Sequence, residues 1–432
     1  MIFASTRNPQ EQATFSQAVL KGLAPDGGLY APLTFPHLQD FFQGLSPEVS
    51  IQDVASGLIS ALLGDEFSPE EAQSIAQEAF PFSPVLVEAA PGIRVLELFH
   101  GPSCAFKDFG ASFLATVMNR LLAKEGRRAI IVTATSGDTG SAVAQAFYGK
   151  ECIDVVILYP SGRVSPLQEK QLTTLGGNVT ALEVKGNFDD CQRMAKAAFT
   201  NPELTSLPLS SANSISLGRL VPQSFYYIWA DARLRDFRPY SFVVPSGNFG
   251  NLTAGLYAAS WGMNTPGFVA ATNANDVVPE FLSKGIYSPR PSVATYSNAM
   301  DVGAPSNFER LQALFHHDVD QFRNALSAYT VCDETTAQTM DRVFQNHGYL
   351  CCPHTAVGWK AAELFREKHP DQETVVLSTA HPGKFVEVVE QITGTSPSLP
   401  EELSCLLQRE KISVKVGNTD ADLAQWLLEQ FA

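Results

Sequence analysis

The spacing of apolar residues changes along this chain, and each change predicts an element. Between residues ~50 and 80 apolar positions recur at helical spacing and predict two helices. The second opens with Ser68-Pro69-Glu70-Glu71: Ser as N-cap, Pro at the first helical position, Glu three residues after the cap. Pro-Phe-Ser-Pro after Phe80 reads as a linker. From residue 94 short apolar runs alternate with helical stretches. Strands are predicted at Arg94–Leu98, Ala129–Ala134, Asp154–Tyr159, Ala181–Val184, Phe242–Val244, Gly267–Ala271 and Thr374–Ser378. Helical spacing fills Gly110–Leu122, Gly140–Phe147 and Asn251–Trp261. Strands that are apolar throughout and separated by helices imply parallel sheets covered on both faces. They are too many for one tidy sheet, so two doubly wound α/β domains are expected. The tail from Pro397 predicts a helix, a strand at Ile412–Val416 and a helix at Asp420–Phe431.

Length and composition narrow the function. The chain has 432 residues, enough for two or three domains, and 45% apolar with 17% charged residues excludes global disorder. Thirty Lys+Arg against 45 Asp+Glu give a net charge of −15, which argues against a nucleic-acid or anionic-membrane partner and leaves a small-molecule ligand. The N-terminus has no apolar h-region, and no apolar run approaches the ~20 residues of a membrane span. Seven irregularly spaced cysteines make a disulfide framework unexpected. CxxC and HExxH are absent, and the adjacent His316 and His317 would point ~100° apart on a helix, so no metal is expected. The cytoplasm fits these features.

The chemistry concentrates in a few segments. Two strands end in glycine-rich turns that open helices: Thr135-Ser136-Gly137-Asp138-Thr139-Gly140-Ser141, and Ser246-Gly247-Asn248-Phe249-Gly250-Asn251. In each, backbone N–H groups can converge on an anion at a helix N-terminus. Neither is a Walker A loop or a GxGxxG fingerprint. Two such loops suggest two anionic groups. Upstream, Phe99 to Gly110 reads FHGPSCAFKDFG, with Lys107 flanked by Phe106 and Phe109. A lysine in apolar surroundings shifts toward the neutral amine, which can form a Schiff base. The alternative is a surface lysine paired with Asp108. The strand Thr374–Leu377 runs into Ser378-Thr379, where a hydroxyl can reach a ligand at the sheet's crevice or serve only as a cap. Arg163, Lys170 and Arg219 follow strand ends and suit a substrate phosphate, or are solvated surface cations. GxSxG is absent, so a serine hydrolase has no support.

Together these segments resemble the threonine synthase family, pyridoxal-phosphate enzymes of the tryptophan-synthase-β-like class, in the long form of enterobacteria and fungi. The resemblance spans nearly the whole chain. It rests on Gly22-Leu23-Ala24-Pro25-Asp26-Gly27-Gly28-Leu29-Tyr30-Ala31-Pro32, on His100–Gly110 and Thr135–Ala142, and on Ser211–Leu220, Pro245–Asn251, Ala271–Pro279, Ser297–Val302 and Thr379–Phe385. It implies a fold-type-II enzyme, a carbon–oxygen lyase converting O-phospho-L-homoserine and water to L-threonine and phosphate. Lys107 would be the Schiff-base lysine and main acid/base. Ser246, Gly247, Asn248, Phe249, Gly250 and Asn251 would cradle the phosphate of pyridoxal 5'-phosphate, and Thr379 would bond its ring nitrogen. Ser136, Gly137, Asp138 and Thr139 would face the substrate carboxylate through backbone N–H groups and hydroxyls. Related enzymes commonly carry Asn where this chain has Asp138. Arg163, Lys170 or Arg219 would take the substrate phosphate, in no set order. The expected layout is a mainly helical region at 1–95, a larger discontinuous domain at 96–125 and 236–432, and a smaller substrate domain at 126–235. The family contains monomers and homodimers. The rivals are a phosphohomoserine phospholyase or threonine dehydratase on the same scaffold, and a non-catalytic amino-acid-binding relative.

Overall fold

A computed structural model describes residues 1–135, 137–237, 239–265 and 267–432. Two largely parallel sheets frame it. The larger has six strands, in the order Leu326–Thr330, Phe268–Thr272, Tyr240–Pro245, Glu373–Ser378, Ile93–Glu97 and Val85–Ala90; only the last pairs antiparallel. The smaller has five parallel strands, in the order Val414–Val416, Val179–Val184, Ile153–Pro160, Ala129–Ala134 and Leu209–Ser210. Tyr240–Pro245 is buried at every position, and its Val243 pairs with Val269 on one side and Val376 on the other. An unbroken apolar run is what a strand with helices on both faces requires.

The helix Lys107–Glu125 joins the two sheets. It packs on Asp138–Phe147 from the smaller one and on Leu217–Leu220 and Pro69–Ala79. A Cβ at Gly110 on this helix would lie 2.6 Å from the Arg219 carbonyl oxygen, so glycine permits that contact. Its Phe109 and Phe113 enter an aromatic cluster with Phe80, at centroid distances of 5.9 and 6.3 Å. The predicted cap of Pro69–Ala79 forms in full: Ser68 Oγ accepts the Glu71 N–H, and Glu71 Oε2 accepts the Ser68 N–H. Among the described residues no helix is long and apolar enough to cross a membrane.

The structure departs from the expected layout in two places, at the ends of the spans 236–432 and 126–235. Residues 1–95 are mainly helical, with short strands among the helices. They include an antiparallel sheet of Gln12–Ala13, Phe3–Ser5 and Tyr30–Pro32, and they supply Val85–Ala90 to the larger sheet. These first strands have two or three residues, too few for alternation to register. The span 236–432 is not one unit. Val414–Val416 pairs with Val179–Val184, and Asp420–Phe431 packs beside Phe188–Thr200 on the smaller sheet. Nor does 126–235 stay together. The helix Gln223–Arg233 is buried from Gln223 to Ala232 and packs on Ile51–Leu63 and Gly250–Ser260. Long-range pairing decided each case, and local pattern does not carry it.

The C-terminal helix packs on Phe188–Thr200 and places Leu423 and Leu427, both fully buried, in one apolar cluster with Met194 and Ala195. Leu423→Ala should cost about 2–5 kcal/mol in urea unfolding. A loss below about 0.5 kcal/mol would mean that this helix does not cover the smaller sheet.

Candidate active site

The lysine segment and the Thr379 turn are stitched together through the backbone. Phe106 N–H donates to the Thr379 carbonyl at 2.9 Å, His381 N–H donates to the Cys104 carbonyl at 3.0 Å, and Ala105 bridges Ala380. Lys107 then opens its helix. The turn before it bends at Cys104, a non-glycine residue with φ of 56°. Such a conformation costs about 1–3 kcal/mol and persists only where its surroundings enforce it.

Lys107 is not a surface lysine paired with Asp108. Asp108 Oδ2 instead accepts the Ser103 N–H at 2.9 Å, and burial raises that carboxyl to about 6. Lys107 Nζ lies 3.8 Å from Asp138 Oδ2, with its side chain 17% exposed. Asp138 Oδ1 lies 2.9 Å from Lys384 Nζ and accepts from Gln168 Nε2 at 3.4 Å. Lys384 is wholly buried, and its ammonium also donates to the Ser103 carbonyl at 2.6 Å. Burial alone would raise the Asp138 pKa, but Lys384 and Lys107 outweigh it and hold the carboxyl well below the usual range. Burial lowers the Lys107 pKa; Asp138 opposes that, while Lys384 and Arg219 reinforce it. The net shift favours the neutral amine. Nearby His354 accepts the Ala299 N–H at Nε2, and burial lowers its pKa to about 4, so it is neutral at pH 7.

The first glycine loop is shaped by Thr135, which follows the strand Ala129–Ala134. Its Oγ1 accepts the N–H groups of Gly137 and Gly140 at 3.1 and 3.0 Å. A Cβ on Gly140 would stand 2.3 Å from Thr135 Cγ2, so glycine is required. Asp138 and Thr139 begin the following helix, Asp138–Phe147. Ser136, predicted as a substrate ligand, lies outside the described residues.

The second loop follows Tyr240–Pro245 and is locked by its own side chains. Ser246 Oγ donates to Asn251 Oδ1 at 2.6 Å, and Asn251 Nδ2 donates to the Pro245 carbonyl at 2.9 Å. Asn248 Nδ2 donates to Ser214 Oγ at 2.9 Å, and Asn248 Oδ1 accepts the Ser306 N–H at 2.6 Å. Phe249 adopts φ of 60° and caps the helix Gly250–Ser260. A Cβ on Gly247 would fall 2.6 Å from Met300 Cα. Among the described residues the N–H groups of Gly247, Asn248 and Phe249 have no acceptor, and the first turn of a helix leaves its own N–H groups free.

The three candidate cations fare differently. Arg219 is 2% exposed; its Nη1 donates to the Ala212 carbonyl at 2.7 Å, its Nε has no partner among the described residues, and burial lowers its pKa to about 10. Arg163 stands exposed, and the Lys170 ammonium donates to the Arg409 carbonyl in the tail. Sequence reasoning missed Lys384, Thr135, Gln168 and His354. Lys384 had a visible signal, a cation in a Pro-Gly turn directly after a strand end.

The donor set fits pyridoxal phosphate. An anion cradle of unfilled N–H groups, a mostly buried lysine tending to the neutral amine and Thr379, whose side chain has no partner among the described residues, follow three adjoining elements. Comparisons with known proteins agree. Residues 90–380 match the family described as pyridoxal-phosphate dependent enzyme, residues 2–80 match threonine synthase N terminus, and 355–427 match threonine synthase, C-terminal. The chain is 43% identical over 427 residues to a threonine synthase of Haemophilus influenzae, covering 98% of each. A crystal structure of PLP-bound threonine synthase from Brucella melitensis superposes with a TM-score of 0.94 at 37% identity, covering 99% of each chain. That of the Escherichia coli threonine synthase gives 0.90 at 41% identity, covering 99% of this chain and 100% of that one. The chain belongs to the threonine synthase family of pyridoxal-phosphate-dependent enzymes.

Proposed function

We propose that this chain converts O-phospho-L-homoserine and water into L-threonine and phosphate, with pyridoxal phosphate attached at Lys107. The observation that carries the assignment of Lys107 is its amine, mostly buried at the head of a helix, 3.8 Å from Asp138 and shifted toward neutrality. When bound, pyridoxal phosphate supplies a carbonyl carbon for that amine and an electron sink for carbanions. The backbone donors of 247–251 would hold its phosphate, as the unfilled N–H groups at Gly247, Asn248 and Phe249 support, whereas the Ser246 N–H is given to the Ala271 carbonyl and its hydroxyl to Asn251. Thr379 would hold the ring nitrogen through a neutral hydroxyl, which would leave that nitrogen less charged than an aspartate would.

Lys107 Nζ would take the proton from the substrate Cα and move protons at Cβ and Cγ. Phosphate departs from Cγ and water adds at Cβ, so substrate and product balance. The N–H groups of Asp138 and Thr139 and the Thr139 hydroxyl meet the substrate carboxylate, while the Gly137 N–H, predicted for that role, is already given to Thr135 Oγ1 and shapes the loop. The Asp138 side chain is not the ligand, because its charge is already matched by Lys384. Arg219 is the leading candidate for the substrate phosphate: it is buried, has a spare Nε donor and acts on Lys107 by its charge. Arg163 and Lys170 rank below it on exposure and on the bond to Arg409. The reading includes a cytoplasmic enzyme, monomeric or homodimeric, without nucleic-acid or membrane partners. Seven unpaired cysteines and a net charge of −15 support it.

Lys107→Ala should lower turnover by about a thousandfold or more while the melting temperature stays near wild type. Wild-type turnover in that variant would remove Lys107 from the chemistry. Purified enzyme on phosphohomoserine should release threonine and phosphate in equal amounts; 2-oxobutyrate without threonine would make it a lyase of the rival kind. Arg219→Ala should raise KM about tenfold or more and change cofactor affinity less. An unchanged KM would take Arg219 out of the phosphate site.

A further inference from the structure

Resting on that reading of Lys107, we propose that Lys384 is a positioning residue: by holding Oδ1 of Asp138 it keeps this carboxylate from closing an ion pair on the Lys107 nitrogen. The three groups come from separate elements. Lys107 heads Lys107–Glu125, Asp138 heads Asp138–Phe147 beside the smaller sheet, and Lys384 sits in the turn after Glu373–Ser378. The carboxylate is shared unequally. Lys384 lies at hydrogen-bond distance, 2.9 Å, and Lys107 beyond it at 3.8 Å.

Lys384 is itself tethered. The Ser103 carbonyl accepts from it at 2.6 Å and from Gln171 Nε2 at 3.1 Å, while the Ser103 N–H is fixed by Asp108. Gln168 Nε2 holds Asp138 from a further side. With side-chain exposures of 0% for Lys384 and 5% for Asp138, little water screens the pair.

The consequence is chemical. A lone buried carboxylate beside Lys107 would hold it as ammonium, which is no nucleophile and no base. Lys384 satisfies the carboxylate and adds a second positive charge that disfavours protonation of Lys107. The other groups facing this amine do not replace it. Arg219 is cationic and acts in the same direction, His354 is neutral, and Asp108 is bonded to Ser103.

The test follows the titration of the Lys107 nitrogen in the holoenzyme from the absorbance of the bound cofactor, alongside the pH profile of kcat/KM. Lys384→Met should raise the midpoint by about one pH unit or more. Lys384→Arg should return it toward wild type. Asp138→Asn should lower it, and Lys384→Met added to Asp138→Asn should shift it far less than Lys384→Met does alone. An unmoved or lowered midpoint in Lys384→Met overturns the proposal, as does a raised KM for phosphohomoserine with the midpoint unmoved, which would make Lys384 a substrate ligand. If Lys384→Met does not fold, Asp138→Asn decides: a lowered midpoint supports the proposal, and an unmoved or raised one overturns it. A wild-type chain that binds no cofactor contradicts the parent reading, and this inference falls with it.

Discussion

Burying a carboxylate costs several kcal/mol unless cations and donors meet it. This chain buries Asp138 to 5% side-chain exposure between two lysines from different elements. That arrangement constrains the rest of the site. Asp138 must be ionised to hold Lys384, Lys384 must be charged to keep Asp138 buried, and Lys107 is left with the weaker share. A site built for Schiff-base chemistry needs that weaker share, because its amine must give up a proton at neutral pH.

The fold provides the juxtaposition through strand order. Lys107 follows the segment after Ile93–Glu97, and Lys384 follows the neighbouring strand Glu373–Ser378. Their turns are bonded to each other through Phe106, Cys104, Thr379 and His381. Asp138 arrives from the smaller sheet, and the helix Lys107–Glu125 packs against its helix. Two of the four non-glycine residues at positive φ among the described residues, Cys104 and Phe249, lie just before Lys107 and at the mouth of the anion cradle; the other two, His316 and His317, lie in a turn outside it.

Much of this was legible in the sequence, for local reasons. Buried parallel strands write themselves as unbroken apolar runs, and the Ser68 cap and both glycine turns are signals a few residues long. Lys107 was legible from Phe106 and Phe109 and from its resemblance to a known family. What stayed hidden depends on contacts between distant residues. Nothing near Val414–Val416 says that it pairs with Val179–Val184. Nothing near Asp138 names its partner, 246 positions away at Lys384 (384 − 138). Lys170 read as a phosphate ligand because of its neighbours, yet its ammonium meets the Arg409 carbonyl.

Two lysines, Lys384 fully buried and Lys107 mostly buried, flank one carboxylate, so the central claim is which of them takes the cofactor. Borohydride reduction of the holoenzyme followed by peptide mapping answers it directly. The account predicts the pyridoxyl group on the peptide containing Lys107 and an unmodified Lys384. A label on Lys384, or none on either, would contradict it.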